Sequence, residues 1–472
     1  MHNGRHKILI ANRGEIAIRI ARACVELGHG FVCVYTEADS QSGHVDYARE
    51  HGGPDSLFRI GSYRDANEIF SVADKAGATA IHPGYGFFAE DFRFARRVTE
   101  RSNPLIFIGP SWWIIRELGD KINTKRLARS LGVPTVPGSD SPVYDELEAV
   151  ELAGSLFSFQ REQGFQSPAI MVKASAGGGG MGIEEVSDPD EFRSVYRRIR
   201  NYAKRQFNDD GVLIEQRIYD FNHLEVQVVS DREGRNHVHF GTRNCSVQSS
   251  GNQKRIEVAP GFAPDEIHYI FDAGNLLERI TGHSLTMARE VNYDSVGTWE
   301  WIVTPRGEPF LMEVNTRIQV ENGVSAAIAS ICGNDDVDIV REQVRLALGG
   351  PMDYCQQDIS LCGAALEYRI IAENPAADFA PWVGCIDEFA WRDEDWLEVY
   401  TQVPAGRSYE IPTEFDPNLA LAIVRGSSLR QVQERGLRFL RDLSLKGADR
   451  NGRLLESNVS YLMDKTAGLL EF

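Results

Sequence analysis

The chain has 472 residues, 42% of them hydrophobic and 25% charged, with a formal net charge of −18. That length suggests two to four domains, and that composition permits a large core. The acid excess argues against a nucleic-acid or anionic-membrane partner, either of which would want a basic surface, and no apolar run approaches a membrane span.

The chain opens Met1-His2-Asn3-Gly4 and reaches strand-like text by Lys7, which leaves no room for a secretory or transit segment. The seven cysteines, Cys24, Cys33, Cys245, Cys332, Cys355, Cys362 and Cys385, are scattered and form no C-x-x-C pair. They read as small buried hydrophobes in a reduced, cytoplasmic protein with no cysteine-based metal site.

Ile8-Leu9-Ile10-Ala11 reads as a buried strand and Asn12-Arg13-Gly14-Glu15 as a turn into a helix. That helix carries Ile16, Ile20 and Val25 and ends near Gly28, before the strand Phe31-Val32-Cys33-Val34-Tyr35. This is a βαβ unit with a parallel sheet. Two further apolar runs, Ala78–Ile81 and Leu105–Ile108, lead into the turns His82-Pro83-Gly84-Tyr85-Gly86 and Gly109-Pro110, where open α/β sheets collect ligands. A first α/β domain is expected over 1–115. Helical text follows from Lys121 to Leu131, then Gly132-Val133-Pro134 and a polar loop. Residues 133–208 read as a lid-like insertion, 212–315 as strand-rich, and 326–348 as helix-rich. The tail mixes strands with a helix over 429–443.

Three segments carry chemistry. Lys173 ends the strand Ile170-Met171-Val172-Lys173 and precedes a glycine run that includes Gly178, Gly179 and Gly180. Uncovered backbone N–H groups and a lysine point charge suit phosphate, although neither a Walker A loop nor a dinucleotide fingerprint is present. Next, His223, Glu225 and Gln227 alternate with Leu224, Val226 and Val228, which reads as an ordinary half-exposed strand. The strongest signal is a hairpin, Gly297–Val303 and Phe310–Asn315, whose turn contains Pro305 and Gly307. Pairing about that turn brings Glu300 near Glu313, and a Mg²⁺ or Mn²⁺ ion between them would relieve their repulsion. Beyond it Glu313, Asn315, Arg317, Gln319 and Glu321 occupy every second position, which predicts an extended polar ladder. Its arginine fork suits a small planar anion, and its final glutamate could take a proton.

With these motifs in view, the chain resembles the biotin carboxylase group of ATP-grasp enzymes over about residues 6–465. The matching text includes KILIANRGEIAIR (Lys7 to Arg19), HPGYGF (His82 to Phe87), FIGP (Phe107 to Pro110), GDK (Gly119 to Lys121), KASAGGGGMG (Lys173 to Gly182), EVNTRIQVE (Glu313 to Glu321) and EYRIIAEN (Glu367 to Asn374). The resemblance implies an α/β and α+β protein: an N-terminal parallel-sheet α/β domain (1–115), a central ATP-grasp domain with a lid (116–350) and a C-terminal biotin carboxylase domain (351–472). It also implies a reaction in which ATP and bicarbonate form carboxyphosphate, which carboxylates biotin. Lys121, Lys173, Gly178, Gly179, Gly180, Glu215, Ile218, His223 and Gln248 would hold ATP. Glu300, Glu313 and Asn315 would hold the metal. Lys254, Arg317, Gln319 and Val320 would hold bicarbonate, with Glu321 as general base. Arg369 would stabilise the enolate form of biotin, with Tyr85 nearby.

No M-K-M biotinylation site is present, so a separate biotin carboxyl carrier protein and a carboxyltransferase subunit are implied, in a homodimer or larger complex. The chain departs from the family text in places. R-R-H-Q-K becomes Ser249-Ser250-Gly251-Asn252-Gln253-Lys254, one residue longer, and Met181 stands where the glycine loop usually has arginine. E-H-P-V-T-E becomes Glu321-Asn322-Gly323-Val324-Ser325-Ala326, and D-S-M-I-x-K becomes Asp416–Leu421 without its lysine. An insertion occupies Leu445 to Arg453. These changes leave room for a ligase acting on another acceptor, or for a nucleotide-binding regulatory subunit without turnover.

Overall fold

A computed structural model describes residues 5–175, 182–249 and 253–471. The chain divides into two compact units, one made of 1–119, 222–301 and 314–472, the other of 120–221 and 302–313.

The first unit begins with a parallel sheet in the order Leu57–Arg59, Gly30–Tyr35, Lys7–Ile10, Ala80–His82, Ile106–Phe107. Strands start outward from Lys7–Ile10 in both directions, so this is a doubly wound arrangement with a switch point beside that strand. The apolar run expected there is fully buried: Ile8, Leu9 and Ile10 are each 0% exposed. The helix Gly14–Glu26 follows after a turn in which Gly14 has φ +66°, and a Cβ there would meet Gln402 at 2.7 Å. Asn12 Nδ2 donates to the carbonyls of Pro83 and Tyr85, both at 2.7 Å, and so pins the His-Pro-Gly-Tyr turn to the first strand.

The rest of this unit is built on a second sheet. Its strands run in the order Pro309–Asn315, Val296–Val303, Asn222–Ser230, His237–Gln248, Lys254–Ala259, Ala364–Ile371, Asn418–Gly426, Leu397–Thr401. The pairs from Asn222–Ser230 onward are antiparallel. The strand-rich reading of 212–315 needs a correction. An 18-residue helix, Ala273–Glu290, interrupts it, starting at Asp272, whose side chain accepts from Asn275 N–H. The helix-rich reading of 326–348 is also too simple: the helices are Asn322–Ala327 and Ile339–Ala347, with the strand Ala329–Ile331 between them. The insertion near Leu445 forms the strand Ser444–Ala448, antiparallel to Cys385–Ala390.

The second unit is smaller. Its sheet, Ile183–Val186, Ile170–Ala174, Val212–Gln216, is antiparallel, and the helices Glu146–Glu162 and Phe192–Phe207 close a core around Val172, Ile214 and Tyr196. The helix Lys121–Ser130 is capped by Asp120, which accepts from the N–H groups of Ile122 and Asn123.

Cys24, Cys33 and Cys245 are buried as expected, but Cys332, Cys355 and Cys362 are exposed, because they lie in turns and loops around short edge strands rather than in a core. Among the described residues no helix is long and apolar enough to cross a membrane.

Candidate active site

In the first unit, adjacent strands gather a connected polar cluster inside the protein. Glu300, on Val296–Val303, is its hub. Its Oε1 accepts from Asn315 Nδ2 (2.7 Å), Gln319 Nε2 (2.8 Å) and Lys254 Nζ (3.3 Å). Its Oε2 meets His223 Nε2 at 3.0 Å, and Gln248 Nε2 lies 3.0 Å from His223 Nδ1. With the Gln248 amide donating to Nδ1, the Nε2–H of His223 donates to Glu300. Lys254 also binds Glu225 and reaches Glu321 at 2.8 Å. Arg369 Nη2 holds the other oxygen of Glu321 at 2.9 Å. Arg243, fully buried, donates to Glu225 at 2.8 Å, Gln227 at 2.7 Å and Gln319 at 3.1 Å.

Charges this deep must be paired or they would lose their ionisation. Burial alone would raise the Glu300 carboxyl, but Lys254 and His223 hold it well below the usual carboxylate range. Glu321 follows the same logic. Burial and the Glu225 charge push its carboxyl up, Lys254, Arg369 and Arg243 pull it down, and it ends below its ordinary value. Burial opposes the Lys254 ammonium, yet Glu225, Glu321 and Glu300 keep it firmly charged.

The second unit carries a smaller cluster. Glu215 accepts from Lys173 at 2.6 Å and Lys125 at 2.9 Å. Burial raises its carboxyl, but the two lysines outweigh that and bring it down to about 2. Lys121 pairs with Glu313 at 2.9 Å. Ile218 is buried beyond Glu215.

The polar ladder read over 313–321 is not one extended strand. The strand ends at Asn315, and the chain then curls into the helix Asn322–Ala327, with Glu321 just before it. Thr316 and Ile318, which alternation would place on the opposite face, are buried together with Gln319 and Glu321. Asn315, Gln319 and Glu321 converge because the backbone bends, not because it stays straight. Arg317 donates to Asn315 Oδ1 at 3.1 Å and to Glu90 at 3.1 Å, and Arg19 approaches the Val320 carbonyl at 3.4 Å. The half-exposed reading of His223–Val228 also fails, since Glu225 and Gln227 are 0% exposed. Neighbouring strands cover both faces there. Tyr85 binds Glu15 rather than joining the hydrogen bonds around Glu300. Gly178, Gly179 and Gly180 lie outside the described residues.

The sequence reading gave no role to Lys125, Arg243, Glu257 or Glu367, although it quoted Glu367 within EYRIIAEN. Lys125 had a signal, one helical turn after Lys121. The others are single charges in strands, and Arg243 meets Glu225 only because the ladder puts the two opposite each other.

The chain matches three family models in sequence: biotin carboxylase, N-terminal domain, over 5–115; carbamoyl-phosphate synthase L chain, ATP binding domain, over 120–355; and biotin carboxylase C-terminal domain over 367–461. It is 35% identical over 461 residues to the biotin carboxylase of Halalkalibacterium halodurans, covering 96% of this chain and 94% of that one. The chain belongs to the biotin carboxylase family. It is also 38% identical over 425 residues to the 2-oxoglutarate carboxylase small subunit of Hydrogenobacter thermophilus, covering 89% of this chain and 82% of the relative. The crystal structure of that carboxylase's biotin carboxylase domain dimer, in complex with MgADP, ADP and bicarbonate, matches 100% of this chain and 96% of its own, with a TM-score of 0.83 and 34% identity.

Within the biotin carboxylase fold, the departures of this chain acquire definite places. Asn322 accepts from Arg19 Nη2 at 2.8 Å and donates to the Gln319 carbonyl at 2.8 Å, so it locks the bend after the ladder. Leu421, standing where the family text has lysine, is buried and in register opposite Arg369. Ser249 N–H bonds the Gln253 carbonyl at 2.9 Å and closes the base of the altered loop.

Proposed function

We propose that the chain is the biotin carboxylase subunit of a multi-subunit carboxylase, in which ATP and bicarbonate carboxylate biotin carried on a separate protein. The observation that carries this is Glu321: a buried, ionised carboxylate held between Lys254 and Arg369. A carboxylate kept charged by two cations is poised to accept a proton once an anion engages those cations.

In this reading bicarbonate takes the places that Lys254, Arg317, Gln319 and the Val320 backbone now give to internal partners. Glu321 removes its proton, and the resulting oxygen attacks the γ-phosphorus of ATP. The β–γ bridge bond breaks, ADP leaves, and carboxyphosphate forms. The C–O bond of carboxyphosphate then breaks, the departing inorganic phosphate takes the proton from a biotin ring N–H, and the carboxyl joins that nitrogen, with Arg369 beside the enolate oxygen and Tyr85 nearby. Lys121, Lys173, Glu215, Ile218, His223, Gln248 and the 178–180 glycines hold the nucleotide. Phosphoryl transfer is mostly positioning and charge neutralisation, which lysines supply without covalent chemistry.

The donor set fits a hard divalent cation. Glu300 stays ionised deep in the protein with the Asn315 amide at 2.7 Å, and carboxylate and amide oxygens are the ligands such a cation prefers. Glu300, Asn315 and Glu313 would hold Mg²⁺ or Mn²⁺, which supplies charge neutralisation for the transferring phosphoryl group. Seven cysteines with no disulfide among the described residues suit a reducing, cytoplasmic setting. A carrier protein, a carboxyltransferase subunit and a second copy of this chain complete the assembly.

The test is phosphate release from ATP and Mg²⁺ by the purified chain, with bicarbonate and free biotin added singly and together. Release that needs bicarbonate and rises with biotin is expected. Release indifferent to biotin would instead identify a ligase with another acceptor, and binding without release a regulatory subunit.

A further inference from the structure

Glu257 and Glu367 stand directly opposite each other in the antiparallel ladder between Lys254–Ala259 and Ala364–Ile371. Residues paired in this way send their side chains to the same face of a sheet. Both are 0% exposed. Arg369, two residues beyond Glu367 and so on the same face, holds Glu257 with Nε at 2.8 Å and Nη2 at 2.7 Å. Its Nη2 also reaches Glu321. Glu367 has no such service: both its carboxyl oxygens, and Oε2 of Glu257, are buried without a hydrogen-bond partner among the described residues.

The surroundings are short of positive charge. On the next strand Ile423 faces Glu367 and Leu421 faces Arg369, both buried. The helix Asn322–Ala327 packs against both strands and contains no charged residue. Arg369, Glu321, Lys254 and Glu225 act on Glu257; Glu257, Arg369, Glu321 and Arg19 act on Glu367. Cys245 lies near Arg369, and Tyr400 stacks on Arg19. Arg19 itself is tied to Asn322 and lies 3.9 Å from Glu15.

Two facing carboxylates out of water, with one guanidinium already shared with Glu321, cannot both stay ionised at bearable cost. One proton must remain. Its place follows from these contacts, since Glu257 accepts a hydrogen bond from Arg369 Nε and pairs with Nη2, whereas Glu367 has neither. Burial, and then the Glu257 charge, hold the Glu367 carboxyl well above its usual range. Burial outweighs Arg369 at Glu257 and pushes it up to about 7.

We propose that Glu257 and Glu367 are a one-proton carboxyl pair that positions Arg369: Glu367 keeps the proton, and the single charge on Glu257 aims the guanidinium at Glu321. Acid that protonates Glu257 releases Arg369 on that side. The consequence for biotin rests on the function proposed above; the location of the proton does not.

The test uses the intact chain with Glu257→Gln and Glu367→Gln. Infrared difference spectra of wild type minus Glu367→Gln, at about pH 8, should show the C=O stretch of a protonated carboxylic acid that shifts in D₂O. In wild type the biotin-dependent rate should fall as pH drops through about 7. Glu257→Gln should abolish that limb and raise the KM for biotin about tenfold or more, as misaimed groups do, without a matching rise for ATP. Glu367→Gln, which preserves shape and neutrality, should keep the limb. Absence of the infrared band, or a limb that survives in Glu257→Gln, overturns the proposal. If wild type shows no biotin-dependent turnover the function proposed above fails, and the infrared band alone then decides the pair.

Discussion

The two charged clusters are opposite in sign. In the first unit Glu225, Glu257, Glu300, Glu321 and Glu367 outnumber Lys254, Arg243 and Arg369, and all of them are shielded from water or nearly so. In the second unit Lys121, Lys125 and Lys173 outnumber Glu215 and Glu313, and Lys121 is 65% exposed. An excess of buried carboxylate calls for protons or a divalent cation; an excess of ammonium calls for an anion. In the first cluster Lys254 also keeps a place for the bicarbonate proposed above, so the ion pairs there stand in for an anion as well as a cation.

The largest expected effect lies in the first cluster. Glu321→Gln should slow bicarbonate-dependent phosphate release by about 10²- to 10⁴-fold, the usual worth of a positioned base, while titration calorimetry shows nucleotide binding retained. Loss of nucleotide affinity in this variant would erase the division of labour between the clusters. Next is Lys173→Met, which should weaken ADP binding by about tenfold, roughly 1.4 kcal/mol, and leave the dependence on bicarbonate concentration in place.

A smaller effect separates the clusters by the sign of a pH slope. Glu215 is depressed in the folded chain, to about 2, so its contribution to stability is complete above the ordinary carboxylate value and is lost as pH falls toward 2. Glu257 is raised, to about 7, so folding grows less favourable at that residue as pH climbs from the ordinary value toward 7. Denaturant midpoints measured across pH should show Glu215→Gln flattening the acid slope and Glu257→Gln flattening the opposite one. The smallest effect is a reference far from both clusters. Asp65 caps the helix Ala66–Ala76 by accepting from Asn67 and Glu68 N–H, and Asp65→Ala should cost about 1 kcal/mol with kinetics intact.

Much of the fold was legible where local pattern decides it. The run Ile8–Ala11, the turn at Gly14 and the helix after it announce the parallel sheet because each needs only its neighbours. The helix Ala273–Glu290 was hidden among strand text; Thr281, Thr286 and two glycines blur its periodicity. At the site, alternation named Asn315, Gln319 and Glu321 for a partly mistaken reason. Their polarity was real, but the backbone bend that makes them converge depends on Asn322 and Arg19, residues 303 positions apart. Glu257 and Glu367 were illegible as a pair, since one charge in one strand says nothing until register supplies its opposite number.

Register also bears on the loop that departs from the family. Between His237–Gln248 and Lys254–Ala259 the pairing shifts near Val247 and Gln248, before the regular pairs of Ile256 with Tyr368 and Glu257 with Glu367. Lys254 and Glu257, three residues apart, would face opposite ways in an even strand; the irregularity lets one reach Glu321 directly and the other through Arg369. It also works as slack in the thread. Ser249 and Gln253 close the loop on one side of it, and the pairs at Ile256 and Glu257 set the strand's phase on the other, so loop closure and phase are fixed separately.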